Sequence, residues 1–309
     1  MEKDLVGKKE NKFIKKSNVI VRAVTNESAG IMTQRLFNFA ILNTKNNNIK
    51  NIDHIGFWLK DFCIYYGIQQ HKLYDKVIHK KKEMSVIMKE LENLTSLKFF
   101  VFKENENKYG FVNAFLEGFN IDGYIKLKPN QDLITKYFVD LKSDYTNVYL
   151  PYTKTVTSKY SLRLYEYLRS YLYMNAKTKK TPIYQHIWDF QQLANVLNLT
   201  LNHSYFKQIF TLKKFVLDPV KKDLAKTDII FTYELQKVGR KYSKIILNTH
   251  LDLEKFNAQK PELEKVSTKK ECKVNKCNVN KSNLITSTFK KQKSKIIEKQ
   301  LLSDEDIVN

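Results

Sequence analysis

Lys207, Thr211 and Lys214 recur at i, i+4 and i+7 along a stretch that also carries Phe206, Ile209, Phe210, Val216 and Leu217. At helical spacing the five apolar residues define a buried side and the other three a polar stripe, with Gln208 beside it and Lys213 next to Lys214. Lys contributes a point charge with three donors, Gln a donor and an acceptor, and Thr a hydroxyl. That chemistry suits a polyanion with hydrogen-bonding edges. Two further sets resemble it. Lys72, Lys76 and Lys80 recur every four residues in the first half, with no Gln or Thr in their stripe, and Lys237, Arg240, Lys241 and Lys244 surround Gly239. A solvated helix face, or edge-strand charge that prevents aggregation, is the plain alternative for each set.

Catalytic spacings are missing. His54, His71, His79, His186, His203 and His250 form no His-x-His or His-x-x-x-His pair, so the familiar metal spacings are absent. There is no Gly-x-x-x-x-Gly-Lys loop and no Gly-x-Ser-x-Gly elbow. The 18 tyrosines leave a nucleophilic Tyr open by count alone, although each is more ordinarily a core or surface aromatic. Cys63, Cys272 and Cys277 are too few and too odd for a disulfide framework, and no His or second Cys pair near the last two suggests zinc. The expectation is no catalytic residue, no metal and no cofactor.

Lys and Arg total 54 against 32 Asp and Glu, a formal charge of +22. Such an excess repels itself in a compact fold unless a polyanion neutralises it. Nucleic acid and an anionic membrane both qualify, and AT-rich coding also raises Lys, Asn and Ile. No apolar run reaches the roughly 20 residues that span a bilayer. Met1–Lys16 lacks the apolar centre of a signal peptide. A soluble cytoplasmic protein without a membrane partner is expected. Its 309 residues, 42% hydrophobic, suffice for two domains and a tail.

Several elements must position the stripes. Asn18–Thr25 alternates as a strand, and Asn26 stands as cap of a helix through Leu42. Lys45–Lys50 is a loop, Phe57–Tyr66 a helix ended by Gly67, and a longer helix is expected from His71 to about Leu94. Strands follow at Lys98–Phe102, Tyr109–Phe119 and Tyr124–Lys128, with Pro129 as a stop. After Leu150–Pro151 the order repeats: helix Tyr160–Tyr173, basic turn Lys177–Thr181, helix Ile187–Leu197 ending at Asn198, and a long helix from His203. Strands Thr227–Leu235 and Tyr242–Thr249 are joined by Gln236–Lys241. Asp218–Pro219 predicts a bend and a fresh helical segment, with Val220 and Leu224 facing the core.

The repeat holds one register. The step from Tyr74 to Tyr205 also takes Phe62 to Leu193, Tyr66 to Leu197, Gly67 to Asn198, Lys76 to Lys207 and Phe100 to Phe231. Apolar matches are cheap, so the weight lies in one gap-free offset across four elements. Two similar small α/β domains arising separately is the alternative.

Helix, tight turn, longer helix and a basic-tipped ribbon make a winged helix, whose second helix enters the major groove of DNA. The expected fold is α+β: two tandem winged-helix domains with a flexible C-terminal tail. Residues 1–15 form an arm, 16–147 the first domain, 148–255 the second and main reading domain, and 256–309 a basic tail with too little apolar surface to order. On this reading Lys207, Gln208, Thr211, Lys213 and Lys214 meet phosphates and base edges: Lys suits guanine, Gln adenine, and Thr a thymine methyl. Lys237, Arg240, Lys241 and Lys244 track the backbone as a wing. Lys72, Lys76 and Lys80 are expected on phosphates.

Tyr160-Ser161-Leu162-Arg163-Leu164-Tyr165-Glu166 resembles the "YSxRLYExL" helix of the iteron-binding plasmid replication initiators, the initiator Rep or RepB-like family. Phe206-Lys207, then Val216-Leu217-Asp218-Pro219, resemble its "F-K…VLDPA" helix. Thr227-Asp228 and Gly239-Arg240-Lys241 resemble its "K-T-D…KxGRK" strand and wing. The first half matches more loosely, and the likeness covers roughly Lys16 to Leu251. The resemblance implies a monomer that binds double-stranded DNA at repeated origin sites, and a homodimer, formed through the first domain, that represses its own gene. It also implies no catalysis, with recruitment of the host initiator ATPase and replicative helicase. One departure stands out: the family often has Arg before "VLDP", where Lys213 and Lys214 precede Phe215 here. Lys lacks the planar fork of Arg, so base contacts move elsewhere on the helix.

Two other functions share parts of this pattern. A rolling-circle nuclease would nick through Tyr and a metal, and the missing His-x-His counts against it. A winged-helix transcription repressor without a replication role has the same DNA-binding parts, and the sequence does not separate it.

Overall fold

The computed structural model describes residues 13–25, 29–44, 53–103, 108–139, 141–178, 183–239 and 241–259, without the side chains of 101–103, 108, 109, 173–178, 183 and 241. Most of the expected arm, Asn26, the 45–50 loop, Arg240 and the tail from 260 lie outside the described residues.

β1 (Phe13–Ser17) leads directly into the five-residue helix α1 (Asn18–Arg22), where the sequence pattern predicts a strand. The Ser17 hydroxyl accepts from the Val19 N–H and opens a helical turn, which buries Ile20 and Val21 side by side. α2 (Ile31–Thr44) carries Leu36, Phe37, Phe39, Ala40 and Ile41 into the core. β2 (Ile55–Trp58) takes the first residues of the helix expected at Phe57, and α3 (Leu59–Tyr66) supplies the rest. Gly67, at φ +66°, closes α3 in the left-handed region that glycine adopts without strain.

The long helix expected from His71 to Leu94 is not formed. A 3-10 turn (Gln70–Leu73) precedes a hairpin of β3 (Lys76–His79) and β4 (Lys82–Ser85), and only then comes α4 (Val86–Ser96). The β-branched pair Val77–Ile78 suits a strand, and His79-Lys80-Lys81-Lys82 supplies no apolar face for a helix to bury. Ser85 then caps α4 by accepting from the Met88 N–H.

β5 (Lys98–Lys103) and β6 (Lys108–Asn113) pair as a hairpin. Ala114 separates β6 from β7 (Phe115–Ile121), so the single strand expected at Tyr109–Phe119 is two. β8 (Tyr124–Pro129) lies between β2 and β7 in a three-stranded antiparallel sheet. α5 (Gln131–Phe138), β9 (Tyr145–Tyr149) and α6 (Leu150–Thr155) complete the first half, with β9 antiparallel to β1.

α7 (Lys159–Thr178) joins the halves. β10 (Ile183–Asp189) then claims Ile187 and Trp188, expected to be helical, and α8 (Phe190–Leu197) begins where Asp189 and Gln192 form a capping box. α9 (Ser204–Lys207), α10 (Ile209–Leu212), a π turn (Lys213–Leu217) and α11 (Asp218–Leu224) replace one long helix. β11 (Ile229–Val238) and β12 (Lys241–Leu251) form the long hairpin, with β12 in the middle of the β10–β12–β11 sheet. α12 (Leu253–Ala258) crosses the boundary expected at residue 255, and Gln259 is buried against Arg169.

One buried apolar cluster runs from Ile14 to Leu251. Across it, α7 offers charge rather than grease. Arg163 donates to the carbonyls of Val21, Ala23 and Val196 at 2.7, 2.7 and 3.0 Å. Glu166 accepts from Lys16 at 2.6 Å and from Asn38 at 3.0 Å, all three buried. Arg22 donates to Ser170 and stacks on Tyr171. The motif residues of α7 thus clamp the first half to the second.

His186 sits among the rings of Tyr167, Tyr171, Tyr184 and Trp188, with centroids 4.3–6.1 Å away. Burial, helped by the charge of Arg22, lowers its pKa to about 3. The unfolded chain takes up that proton near the ordinary histidine value of about 6.5. This stability is therefore complete above about pH 6.5 and is lost progressively as pH falls toward 3. Urea denaturation across that window is expected to show a shallower pH dependence for His186→Phe than for the wild type; parallel curves would count against the assignment.

Candidate nucleic-acid interface

In the second half, α8 ends at Asn198, which adopts φ +54° and ψ +47°. The N–H groups of Asn198 and Leu199 return to the carbonyls of Asn195 and Ala194, a left-handed cap that turns the chain sharply. The Asn198 side chain accepts from the Thr25 N–H, fixing this turn to the first half. α9 follows, capped by His203, whose Nδ1 accepts from the Tyr205 N–H. At Gln208 the backbone opens to φ −137°, ψ +118° before α10 begins.

The break at Gln208 splits the stripe predicted by spacing. Lys207 is exposed on α9, whereas Thr211 and Lys214 follow the break. Thr211 is half-buried and its hydroxyl lies 3.5 Å from Gln208 Oε1. Lys213 and Lys214 are exposed in the π turn, which also accounts for Pro219. That proline lacks the N–H a regular turn would need and its ring crowds the carbonyl four residues earlier, so a widened turn relieves both. The Asp218 N–H reaches back to the Lys213 carbonyl, five residues away. Asp218 therefore continues the helix rather than capping a new one, while Val220 and Leu224 are buried as the pattern predicts. The Asp218 carboxylate accepts from Tyr233 at 2.6 Å and ties this helix to the hairpin.

Phe210 corrects the assignment of sides. Expected in the core, it is 68% exposed, and Phe215 is 49% exposed. The break and the π turn rotate both rings away from the face that buries Leu212, Val216 and Leu217.

The hairpin end is a tight turn: Val238 pairs with Lys241, and Gly239 has φ +63°. A register shift between Gln236 and Lys237 marks a bulge that twists the tip. Lys237 and Lys244 are exposed, with Lys237 Nζ 4.8 Å from the Tyr242 ring centre. Arg240 and the Lys241 side chain lie outside the described residues.

In the first half the predicted lysine stripe is dismantled. Lys72 is exposed on the 3-10 turn, Lys76 on β3 pairs with Glu83 at 3.3 Å, and Lys80 at the hairpin turn pairs with Glu92 at 2.8 Å. Lys80 and Lys81 have φ +49° and +66°, conformations that lysine reaches at a cost of about 1–2 kcal/mol each. Lys81 and Lys82, absent from the predicted set, share this exposed tip with Lys80. The run of four polar residues from His79 is the sequence signal that marks it.

The two halves keep one register of elements. α3, closed by Gly67, and α8, closed by Asn198, have equal length at the offset that relates Tyr74 to Tyr205, and β5 and β11 follow at the same offset. Where the first half places the β3–β4 hairpin, the second places α10 and its π turn. Among the described residues, no group of three or more His, Cys, Asp or Glu could hold a metal, and no helix is long and apolar enough to cross a membrane.

Helix, tight turn, further helix and antiparallel hairpin follow in order in each half, with the β3–β4 hairpin interposed in the first, and this is the order of the DNA-binding winged-helix class. Residues 13–169 match the family described as "Initiator Replication protein, WH1", and residues 184–248 match "Initiator Rep protein, WH2". The chain belongs to this initiator Rep family of replication initiators, as its motif blocks led us to expect. Among solved structures it is similar to a crystal structure of domains 2 and 3 of RctB, at 11% identity and a TM-score of 0.38, covering 74% of this chain and 83% of that one. A selenomethionine derivative of the same two domains gives 13% identity and a TM-score of 0.37, with coverages of 73% and 85%. No curated protein matches.

Proposed function

We propose that this initiator binds repeated sites in a plasmid origin through its second domain, with α10 in the major groove and the β11–β12 wing on the backbone. The observation that carries the reading is the exposed polar set flanking α10, Lys207 and Gln208 before it and Lys213 and Lys214 in the π turn after it, with the helical run tied to a basic hairpin through Asp218 and Tyr233. The first domain, over residues 16–147, adds phosphate contacts through Lys81 and Lys82, whose neighbour Lys80 is already matched by Glu92. Lysines held in a strained turn, where Asn-Gly would fold more easily, fit a contact role. The second domain spans residues 148–255. The protein works without catalysis of its own and recruits the host initiator ATPase and helicase.

A homodimer that represses the initiator's own gene accompanies this role. Support comes from edge strand β7, which leaves Phe119 and Ile121, two residues apart on one face, and Leu116 at its bulge about half exposed.

The test is a plasmid carrying the gene and its flanking DNA as the sole origin. Autonomous replication that persists with the intact gene and stops with Lys207→Ala, Lys214→Ala is the expected outcome. Binding of flanking DNA without replication would leave only the repressor. A covalently nicked supercoiled product formed with divalent metal would restore the nuclease.

A further inference from the structure

We infer that the second domain reads the 5-methyl groups of thymines, with Phe210 as the specificity-determining side chain. The inference rests on the DNA-reading role proposed above and goes past it by naming the base.

Phe210 stands in the first turn of α10, two residues after Gln208, and is 68% exposed. A single exposed apolar residue is ordinary. Its company is not. Lys214 Nζ lies 5.9 Å from the Phe210 ring centre and 5.4 Å from that of Phe215. Phe215 is held in place by Tyr205, their rings stacked at 6.1 Å and 18°. Two aromatic rings thus share a surface with the Lys214 ammonium, Phe210 in the first turn of α10, the end of a recognition helix that approaches the bases, and Phe215 in the π turn after it.

The major groove offers the complement. Phosphates flank it, and its base edges carry one apolar group, the thymine methyl, against which Phe is a known type of contact. The rest of the helix points the same way. Residues 204–224 contain no Arg, so the bidentate fork that selects guanine is missing from this element. Gln208, beside Phe210, matches the N6 and N7 of adenine, the partner of thymine. Thr211, expected from the sequence to touch the methyl, is half-buried with its hydroxyl turned to Gln208. Phe210 takes that place.

The experiment uses the full-length protein and a duplex site recovered by selection from random DNA. Its affinity is measured with thymine, and with uracil, which lacks the methyl, at each position in turn. Wild type is expected to lose about fourfold at each contacted thymine, the worth of one buried methyl. Phe210→Ala is expected to bind both duplexes alike, and Phe210→Leu to keep part of the preference. Equal wild-type affinity for the two duplexes overturns the inference and leaves DNA reading standing. A thymine preference that survives in Phe210→Ala also overturns it, since the effect then lies in groove shape or another residue. If selection enriches no site, the DNA-reading role falls as well.

Discussion

Asp228→Ala is expected to lower the unfolding free energy by about 3–5 kcal/mol, the usual cost of stranding one partner of a buried ion pair. Arg169 and Asp228 are paired with side chains 1% and 0% exposed. Three further Arg169 donors go to the Asn147 carbonyl, the Tyr165 hydroxyl and Gln259 Oε1, and the guanidinium is buried. Removing the carboxylate leaves a full charge buried beside Tyr165 and Gln259. Replacing both residues by Leu removes the desolvation cost along with the attraction, and is expected to recover most of the loss. Equilibrium urea denaturation of the two variants measures both. A loss below about 1 kcal/mol for Asp228→Ala would mean that the pair is open to solvent.

The second large effect falls on binding. Changing Lys207, Lys213, Lys214, Lys237 and Lys244 together to Ala is expected to weaken binding to any duplex by on the order of a thousandfold at physiological salt, and to cut the log–log salt slope by about 4–5. All five are exposed. The ion pairs found among the described residues involve other lysines, so the fold is expected to survive with an unchanged unfolding midpoint. Singly, Lys207→Ala is expected to cost affinity for the selected site, and Lys237→Ala to weaken all sequences about equally. Lys76→Ala provides a contrast, because its charge is already matched by Glu83. Fluorescence anisotropy over a salt series reads all of these. A slope that does not change would place the DNA elsewhere on the protein.

Local chemistry made the positioning elements legible. Gly67 and Asn198 mark the two tight turns because each ends an apolar period with a residue suited to positive φ, and Gly239 marks the wing in the same way. The β3–β4 hairpin stayed hidden because lysines four apart satisfy a helix and Val77–Ile78 a strand, and only the packing of the whole half decides. Phe210 was misplaced for a different reason. A hydrophobic pattern assumes an unbroken 3.6-residue period, and both the extended Gln208 and the π turn shift the phase. The α7 charges look like surface residues in sequence, since Lys16, the partner of Glu166, lies 150 residues away. The α7 motif block therefore builds the interior, through Arg163 and Glu166.

That interior has a geometric consequence. With Arg163, Glu166 and Arg22 clamping one half to the other, the hairpin tip at Lys80–Lys82 and the helix at Gln208–Lys214 are jaws of a single caliper. A caliper measures a span. On the binding mode proposed above, both jaws contact one duplex, in phase with its turn of about 10–10.5 base pairs. Inserting about half a turn between the two contacted segments would carry one of them to the far side of the helix, out of reach of its jaw.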